Sequence, residues 1–555
     1  MHLNSITAEM PELQAPPERR MLRYAGGLGI LYGLMASCGR ALDRNGSISL
    51  KDGWFILSLV IWTAVFSAGL MLFWRWLEKR PFPERVISGR VDVLFGNIWL
   101  MMALLFVCWL PCYLSIFPGN FSYDSGIEYN QCAYGYNNAM PFLHSFLLVN
   151  VLLKSMAVTG SATLGIAFLT IGQMLLLSGL FAAILRHFYK AGINKVLLVI
   201  MLGYYACLPT IHLLATCPVR DVLFSALLTL CVFETAIVLK EKEKFFLSLR
   251  RIAGAAVTVT LTVLARNNSN SRFAYVLLLI VSLLVFLWAG TGFRRKAAWF
   301  GVCLFSSYFI LATLLSLACQ PQTTLPRSTS LSFMTQPITR AYLETGDTWS
   351  EQELEKYEYY FATDGLLYAE GLGDISASKL KTTVDSNGSR MGFLKFWLHT
   401  GAKHPGSYLN AWLANTKALW YPGAVIDGYN YEGSLYPTYK NYEKSYFSFS
   451  DYLDAPAQFD GKLPTVHRFY AHISHDISFE KIPVVAWVFS PGFYVWVLLC
   501  GLFFALYRKD ISALPALGIL VVYVGVSMLV PVILIRYFAA LFFSFPLIVY
   551  ISVKN

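Results

Sequence analysis

The segment PGNFSYDSGIEYNQCAYGYNNAMPFLHSF (118–146) holds two carboxylates, Asp124 and Glu128, and residues 118–139 contain no lysine or arginine. If Asp124 opens a short helix, Glu128 at i+4 and Gln131 at i+7 share its face, which brings two carboxylates and an amide together. Such a pair suits proton transfer: one carboxylate takes a proton from an attacking hydroxyl while its neighbour orients the nucleophile or holds a divalent cation. The same spacing also reads as a helix N-cap followed by a solvated glutamate. His144 follows on the C-terminal side of the segment.

A second set is cationic. Asp221 follows CPVR at the mouth of an apolar run, where it reads either as a helix N-cap or as a functional acid beside Arg220. ARNNSNSRF (265–273) places Arg266 and Arg272 around three asparagines, and Arg536 interrupts the apolar run VPVILIRYFAALFF. Guanidinium groups stay charged and bind phosphate oxygens bidentately, so these arginines read as ligands for a phosphate. His404, His467, His472 and His475 match no zinc spacing, and Cys108, Cys207, Cys231, Cys303 and Cys500 sit in apolar runs as small hydrophobes.

The elements that must position these residues are transmembrane. With 56% hydrophobic, 15% aromatic and 14% charged residues over 555 positions, the chain is too apolar for a soluble enzyme. Apolar runs near 21–38, 54–76, 93–117, 161–186, 196–215, 222–239, 252–266, 273–290, 298–318, 484–507, 513–535 and 537–553 predict an all-α polytopic membrane protein of about 12 transmembrane helices. The net charge of +11 belongs to short cytoplasmic loops rather than to nucleic-acid binding. Basic clusters at Arg75–Arg90, Arg186–Lys190, Lys240–Arg251, Arg294–Lys296 and Arg508–Lys509 go inside only if segment 140–157 does not cross, so it is expected to be juxtamembrane or re-entrant.

This divides the chain into a cytoplasmic segment 1–20, a bundle 21–318 with a first external loop 118–160, an extracytoplasmic domain 319–483, and C-terminal spans 484–555. Both termini are expected inside. The domain carries 14 Lys and Arg against 18 Asp and Glu and, from Gln320 to Pro483, no cysteine, so disulfides cannot stabilise it. Within it, 348–365 predicts a helix with a capping box at Ser350 and Glu353, and 390–423 two amphipathic helices. The tract from Asp427 to Asp460 is loop-like and rich in aromatic residues. Glu234 is the only clear acid inside a predicted span, which argues against an ion-coupled transporter.

This arrangement resembles the GT-C superfamily of membrane glycosyltransferases. YDSGIEYNQCAYGYNNAMPFLHS, CPVRDVLF, ARNNS, TQPITRAYLETGDTWSEQELE and IRYFAALFF are, more narrowly, similar to an uncharacterised bacterial family of GT-C-like polytopic proteins. The resemblance implies an inverting transfer of a sugar from a polyprenyl-phosphate donor to an envelope polymer, glycolipid or polysaccharide, on the outer face of the bacterial cytoplasmic membrane among its lipids. Asp124 then matches the first-loop acid and serves as catalytic base. Arg266, Arg220, Arg536 and His144 bind the donor phosphate, and Glu128 and Asp221 orient the acceptor or hold a divalent cation, Mg or Mn. No other cofactor is implied. Asp124 is not followed directly by a second acid, which leaves the metal open. A lipid-linked oligosaccharide polymerase or ligase, and a non-enzymatic lipid or polysaccharide transporter, are the alternatives.

Overall fold

A computed structural model describes residues 16–79, 89–121, 124–138, 140–266, 272–320, 331–386, 389–424, 462–475, 482, 484–530 and 533–553. The aromatic tract 427–460 and Asn267–Ser271 lie outside the described residues. Among those described there is no β-strand, and Phe361 and Leu380 form an isolated antiparallel bridge. The bundle comprises Pro17–Asn45 (α1), Gly53–Lys79 (α2), Ile98–Ser115 (α3), Asp124–Tyr134 (α4), Phe142–Thr159 (α5), Thr163–Lys190 (α6), Lys195–Cys207 (α7), Pro209–Ala215 (α8), Arg220–Lys240 (α9), Leu249–Arg266 (α10), Arg272–Ala289 (α11) and Arg294–Ala318 (α12). Ser332–Thr345 (α13), Glu351–Tyr360 (α14), Ser389–Lys403 (α15) and Pro405–Trp420 (α16) build a separate helical layer. Pro464–His475 (α17), Pro491–Arg508 (α18), Leu514–Ser527 (α19) and Ala539–Val553 (α20) complete the chain.

Eight helices among the described residues are long and apolar enough to cross a membrane: α2, α3, α5, α6, α9, α12, α18 and Ile535–Val553, which includes α20. The pair α7–α8, bent by 54°, makes a ninth if it is one span. The bend falls at Leu208, just before Pro209, where the proline ring disfavours helical backbone in the preceding residue. The structure thus has a helical membrane protein's architecture, but with eight or nine such helices rather than about 12. α1 carries charges at both ends, α10 opens on Leu249-Arg250-Arg251 and closes on Arg266, α19 is 14 residues long, and α11, 18 residues long, is apolar after Arg272.

Side-chain contacts sort the helix ends into two sets. At the base, Phe188 of α6 stacks on Tyr550 of α20, Lys240 of α9 lies 4.6 Å over the same ring, and Tyr507 of α18 donates to Glu78 of α2 at 2.6 Å. At the opposite end, Asn120 N donates to Thr216 O, Cys319 Sγ reaches Phe142 O, and Asp221 of α9 pairs with Arg266 of α10. Between them Phe181 stacks on Tyr205 at 4.0 Å, and Tyr205 Oη donates to Phe543 O, a polar group satisfied internally as hydrocarbon surroundings demand.

α5 begins at Phe142, against Cys319 at the end of α12. It finishes where Gly165 N of α6 donates to Ser155 Oγ. From there α6 runs past Thr170 to Phe188 at the base. Gly119 packs so closely against Thr170 that an added Cβ would lie 2.1 Å from its Oγ1. The length and composition of α5 would allow it to cross a membrane.

The layer α13–α16 caps that same end. Its interior is aromatic, with Tyr342 stacked on Tyr357 at 4.0 Å and Trp349 and Phe393 buried. Arg340 Nη2 donates to Gly46 O, Asn415 Nδ2 to Val530 O, and Lys417 pairs with Asp43 at 2.7 Å, so the layer grips the ends of α1 and α19. At the start of α14 the Glu353 carboxylate accepts from Ser350 N at 2.9 Å and Ser350 Oγ at 2.8 Å, the expected capping box, and from Lys403 of α15 at 2.6 Å.

Two predictions follow from this packing. Val158→Cys, at an 83% exposed position near the end of α5, should react with a membrane-impermeant maleimide from the same side as Thr348→Cys in the capping layer; reaction from opposite sides would put α5 across the bilayer. Lys403, with help from Ser350, holds the Glu353 carboxyl down at about 2, against an ordinary value of 4.5. A group depressed in the folded state stabilises fully above its unfolded pKa and loses that contribution as pH falls toward the folded one. Amide-exchange protection of α13–α16 should therefore weaken from about pH 4.5 down to about pH 2. Glu353→Gln should flatten that profile, and an unchanged profile would remove Glu353 as its source.

Candidate functional site

α9 starts after Cys217-Pro218-Val219, with Val219 in extended backbone at its N-cap. Asp221, in the first turn, suits the positive end of the helix dipole, and Arg266, the last residue of α10, suits the negative end of its own. The two meet: Arg266 Nη1 pairs with Asp221 Oδ1, while Arg536 Nε lies 3.1 Å from Oδ2. Arg536 sits in the single 3-10 turn Ile535–Phe538, which places its side chain inward just before α20. Asp221 is 1% and Arg536 4% exposed. Tyr537 braces both cations, its ring centroid 4.9 Å from the Arg266 guanidinium and 5.2 Å from that of Arg536, a geometry favourable for cation–π attraction. Arg220, next along α9, extends its guanidinium to Met140 Sδ.

A second cluster adjoins the first. Glu128 on α4 is fully buried, with Oε2 2.6 Å from His144 Nδ1 and Oε1 accepting from Ser145 Oγ at 3.1 Å. Gln131, one turn further, donates from Nε2 to the same Ser145 Oγ at 3.5 Å. The expected shared face of Glu128 and Gln131 is present, and it packs on the first turn of α5 instead of being solvated. Ser125 Oγ donates to Pro218 O at 3.1 Å, and Met140, which touches Arg220, precedes His144 by one helical turn; these contacts join the two clusters.

Asp124 is the first residue of α4, and its side chain lies outside the described residues, as does that of Arg272. Of the other candidates, Asp221, Arg266 and Arg536 form one cluster, Glu128 and His144 the other, and Arg220 stands between them. Asp221 is not an N-cap. Nor are its oxygens turned to a cation site, since both face guanidinium groups. Glu128 likewise faces hydrogen-bond donors. Among the described residues no cluster of three or more His, Cys, Asp or Glu could hold a metal ion. His404 bonds to Thr345 in the capping layer, and His467 to Ser115 O.

Sequence reasoning missed three residues. Gln173, the one amide in the apolar run of α6, donates to the carbonyls of Leu214, Ala215 and Cys217 and so fixes the approach to α9; a lone polar residue amid TLGIAFLTIGQMLLL was its signal. Tyr537 gave no signal beyond its place after Arg536. Asn120, four residues before Asp124, is 2% exposed, and neither Nδ2 nor Oδ1 has a hydrogen-bond partner among the described residues. A buried amide left unmade costs about 1–3 kcal/mol, so this side chain is expensive unless something else engages it.

Residues 130–555 match the family of unknown function DUF6020. The chain belongs to this family. The DUF6020 match takes in His144, Arg220, Asp221, Arg266 and Arg536, while Asp124 and Glu128 lie just before it. No curated protein and no solved structure matches the chain.

In this DUF6020 chain Asp221 is the hub of the cationic cluster, which gives an ordering of variants. Asp221→Leu strands two inward-facing guanidinium groups and should cost about 3–5 kcal/mol, the penalty for breaking a buried pair from one side. Arg266→Leu leaves Asp221 with Arg536 and should cost less. Thermal unfolding in one detergent ranks them, and an equal or reversed order would show that Asp221 is not the hub.

Proposed function

We propose that this protein is a glycosyltransferase that moves a sugar from a polyprenyl-phosphate donor to an acceptor hydroxyl on an envelope polymer, glycolipid or polysaccharide. The observation that carries the reading is the convergence of Arg220, Arg266 and Arg536 on the non-basal end of an apolar helical bundle. A lipid phosphate arrives at that depth with its chain in hydrocarbon, and arginine is the side chain suited to its oxygens. The basic loops gather at the base, so the positive-inside tendency supports a site on the outer face of the cytoplasmic membrane. On this reading α1, α10, α11 and α19 complete twelve passes, and both chain ends lie inside.

In the reaction the acceptor oxygen attacks the anomeric carbon from the face opposite the phosphate, so that configuration inverts. The new glycosidic C–O bond forms as the bond from carbon to the phosphate oxygen breaks. The hydroxyl proton passes to a carboxylate, and the lipid phosphate leaves with the electron pair. We assign the base to Asp124, at the start of α4, and orientation of the acceptor to Glu128, whose carboxylate is held by His144 and Ser145. The arginines stabilise the charge that develops on the departing phosphate. The unsatisfied amide of Asn120 supports a substrate hydroxyl or phosphate oxygen in the same place. Asp221 holds Arg266 and Arg536 in position, and no step here passes through a metal ion.

The test is the sugar composition of the cell envelope with the wild-type protein, with a deletion, and with Asp124→Asn at matched protein levels. One sugar should vanish in the deletion and fall in the variant in step with a loss of about 10²–10⁴-fold in transfer rate, the usual contribution of a general base. If the deletion alters the glycan while Asp124→Asn does not, the base is another residue or the protein moves glycans without transferring them.

A further inference from the structure

Away from the arginine–aspartate cluster, a cavity of about 250 Å³ opens between the capped ends of α1 and α2. Its origin is a change in side-chain size along the hairpin. Lower down, Gly29 and Gly33 let the helices touch: a Cβ on Gly33 would come 2.4 Å from Thr63 Oγ1, and one on Gly29 2.1 Å from Ser67 Oγ. This is the small-residue spacing that brings membrane helices together. Ser37 and Ser58, 3.1 Å apart through their hydroxyls, form the floor. Above them come Arg40, Arg44 and Trp54, and Trp62, one turn below Ser58 on α2, also lines the cavity.

The cavity has the chemistry of a lipid headgroup site. Arg40 and Arg44, one turn apart on α1, both line it, and the Arg40 guanidinium lies 5.8 Å over the Trp62 ring. The acids nearby are already engaged: Asp52 Oδ1 accepts from Trp54 N at 2.9 Å, and Asp43 pairs with Lys417 of the capping layer. Asp52 also lines the cleft and keeps its charge, so the cleft's two guanidinium groups against one carboxylate leave it net positive. The other wall is apolar: Leu57 and Ile61 line the cavity, and with Val60 and Val65 they continue as an exposed stripe along α2. Tryptophan with arginine at the end of an apolar helix is the pattern of a membrane interface. None of these residues belongs to the stretch that matches the family, and none takes part in the proposed transfer.

We infer that the α1–α2 cleft binds an anionic glycerophospholipid of the surrounding bilayer, with its phosphate between Arg40 and Arg44 and an acyl chain along the Leu57–Ile61 stripe. A cleft of this size fits a phosphate and its glycerol. Bound there, the lipid would brace the α1–α2 turn on which the capping layer rests through Arg340, Asn410 and Lys417.

Native mass spectrometry of the full chain in detergent, titrated in turn with phosphatidylglycerol, phosphatidylcholine and a polyprenyl phosphate, tests this. Phosphatidylglycerol should bind in preference to the other two. Arg40→Gln with Arg44→Gln should weaken it about thirty-fold, roughly five-fold for each basic residue facing an anionic lipid. Ser37→Leu, which fills the floor without touching charge, should also weaken it, and keeps the test open if the double variant does not fold. Unchanged phosphatidylglycerol binding in a folded double variant, or tighter arginine-dependent binding of the polyprenyl phosphate or of phosphatidylcholine, would overturn the proposal.

Discussion

Asp221 sits in the first turn of α9 with a guanidinium from the end of α10 on one oxygen and another, from the turn before α20, on the other. Burying any of these charges alone would cost several kcal/mol, so each is tolerable only because the others are there. That mutual dependence locks three helix ends into one register. The remaining features of this end follow: Tyr537 is pinned between two cations, Phe224 of α9 lies under Arg266, and the segment Leu214–Cys217 must reach α9 at the height that Gln173 dictates. A buried ion cluster of this kind adds little net stability over apolar packing, so what it contributes is a fixed geometry and a concentration of arginine.

Around that lock the fold is shaped by the poverty of hydrogen-bond partners in hydrocarbon. Polar side chains within the bundle turn to backbone carbonyls of neighbouring helices, as Trp109 does to Tyr205 O and Tyr204 to Phe542 O. Where the backbone itself breaks, at Leu208–Pro209, His212 closes the gap by bonding to Ala206 O with one nitrogen and to Tyr470 of α17 with the other. The charged loops are left to the base and the polar layer α13–α16 to the opposite end, so the molecule is polarised along its helix axes. The two buried clusters lie at the same end of the apolar bundle as that layer.

The sequence was legible wherever a one-dimensional pattern carries the physics. Apolar runs between charge clusters announced the helical bundle, the spacing of Glu128 and Gln131 announced a shared helix face, and Ser350 with Glu353 announced a cap that is present. Twenty-residue windows predict about 12 spans, and eight or nine helices among the described residues are long and apolar enough to cross. Asn120 and Tyr537 were invisible because nothing in their neighbours reveals burial, and Gln173 was marked only by being polar in an apolar run.

Composition and periodicity by themselves determined that this chain is a helical membrane protein with arginines at unusual helix ends, because the cost of placing charge in hydrocarbon is paid residue by residue and leaves its mark locally. Only the tertiary structure decided that Asp221 would meet Arg266 and Arg536, and that Glu128 would face His144 and not water. Those outcomes depend on pairings between residues up to some three hundred positions apart, and on side-chain volumes such as Gly119 against Thr170 that set how closely helices approach. Packing of that kind is a property of surfaces in contact, which no single stretch of sequence contains.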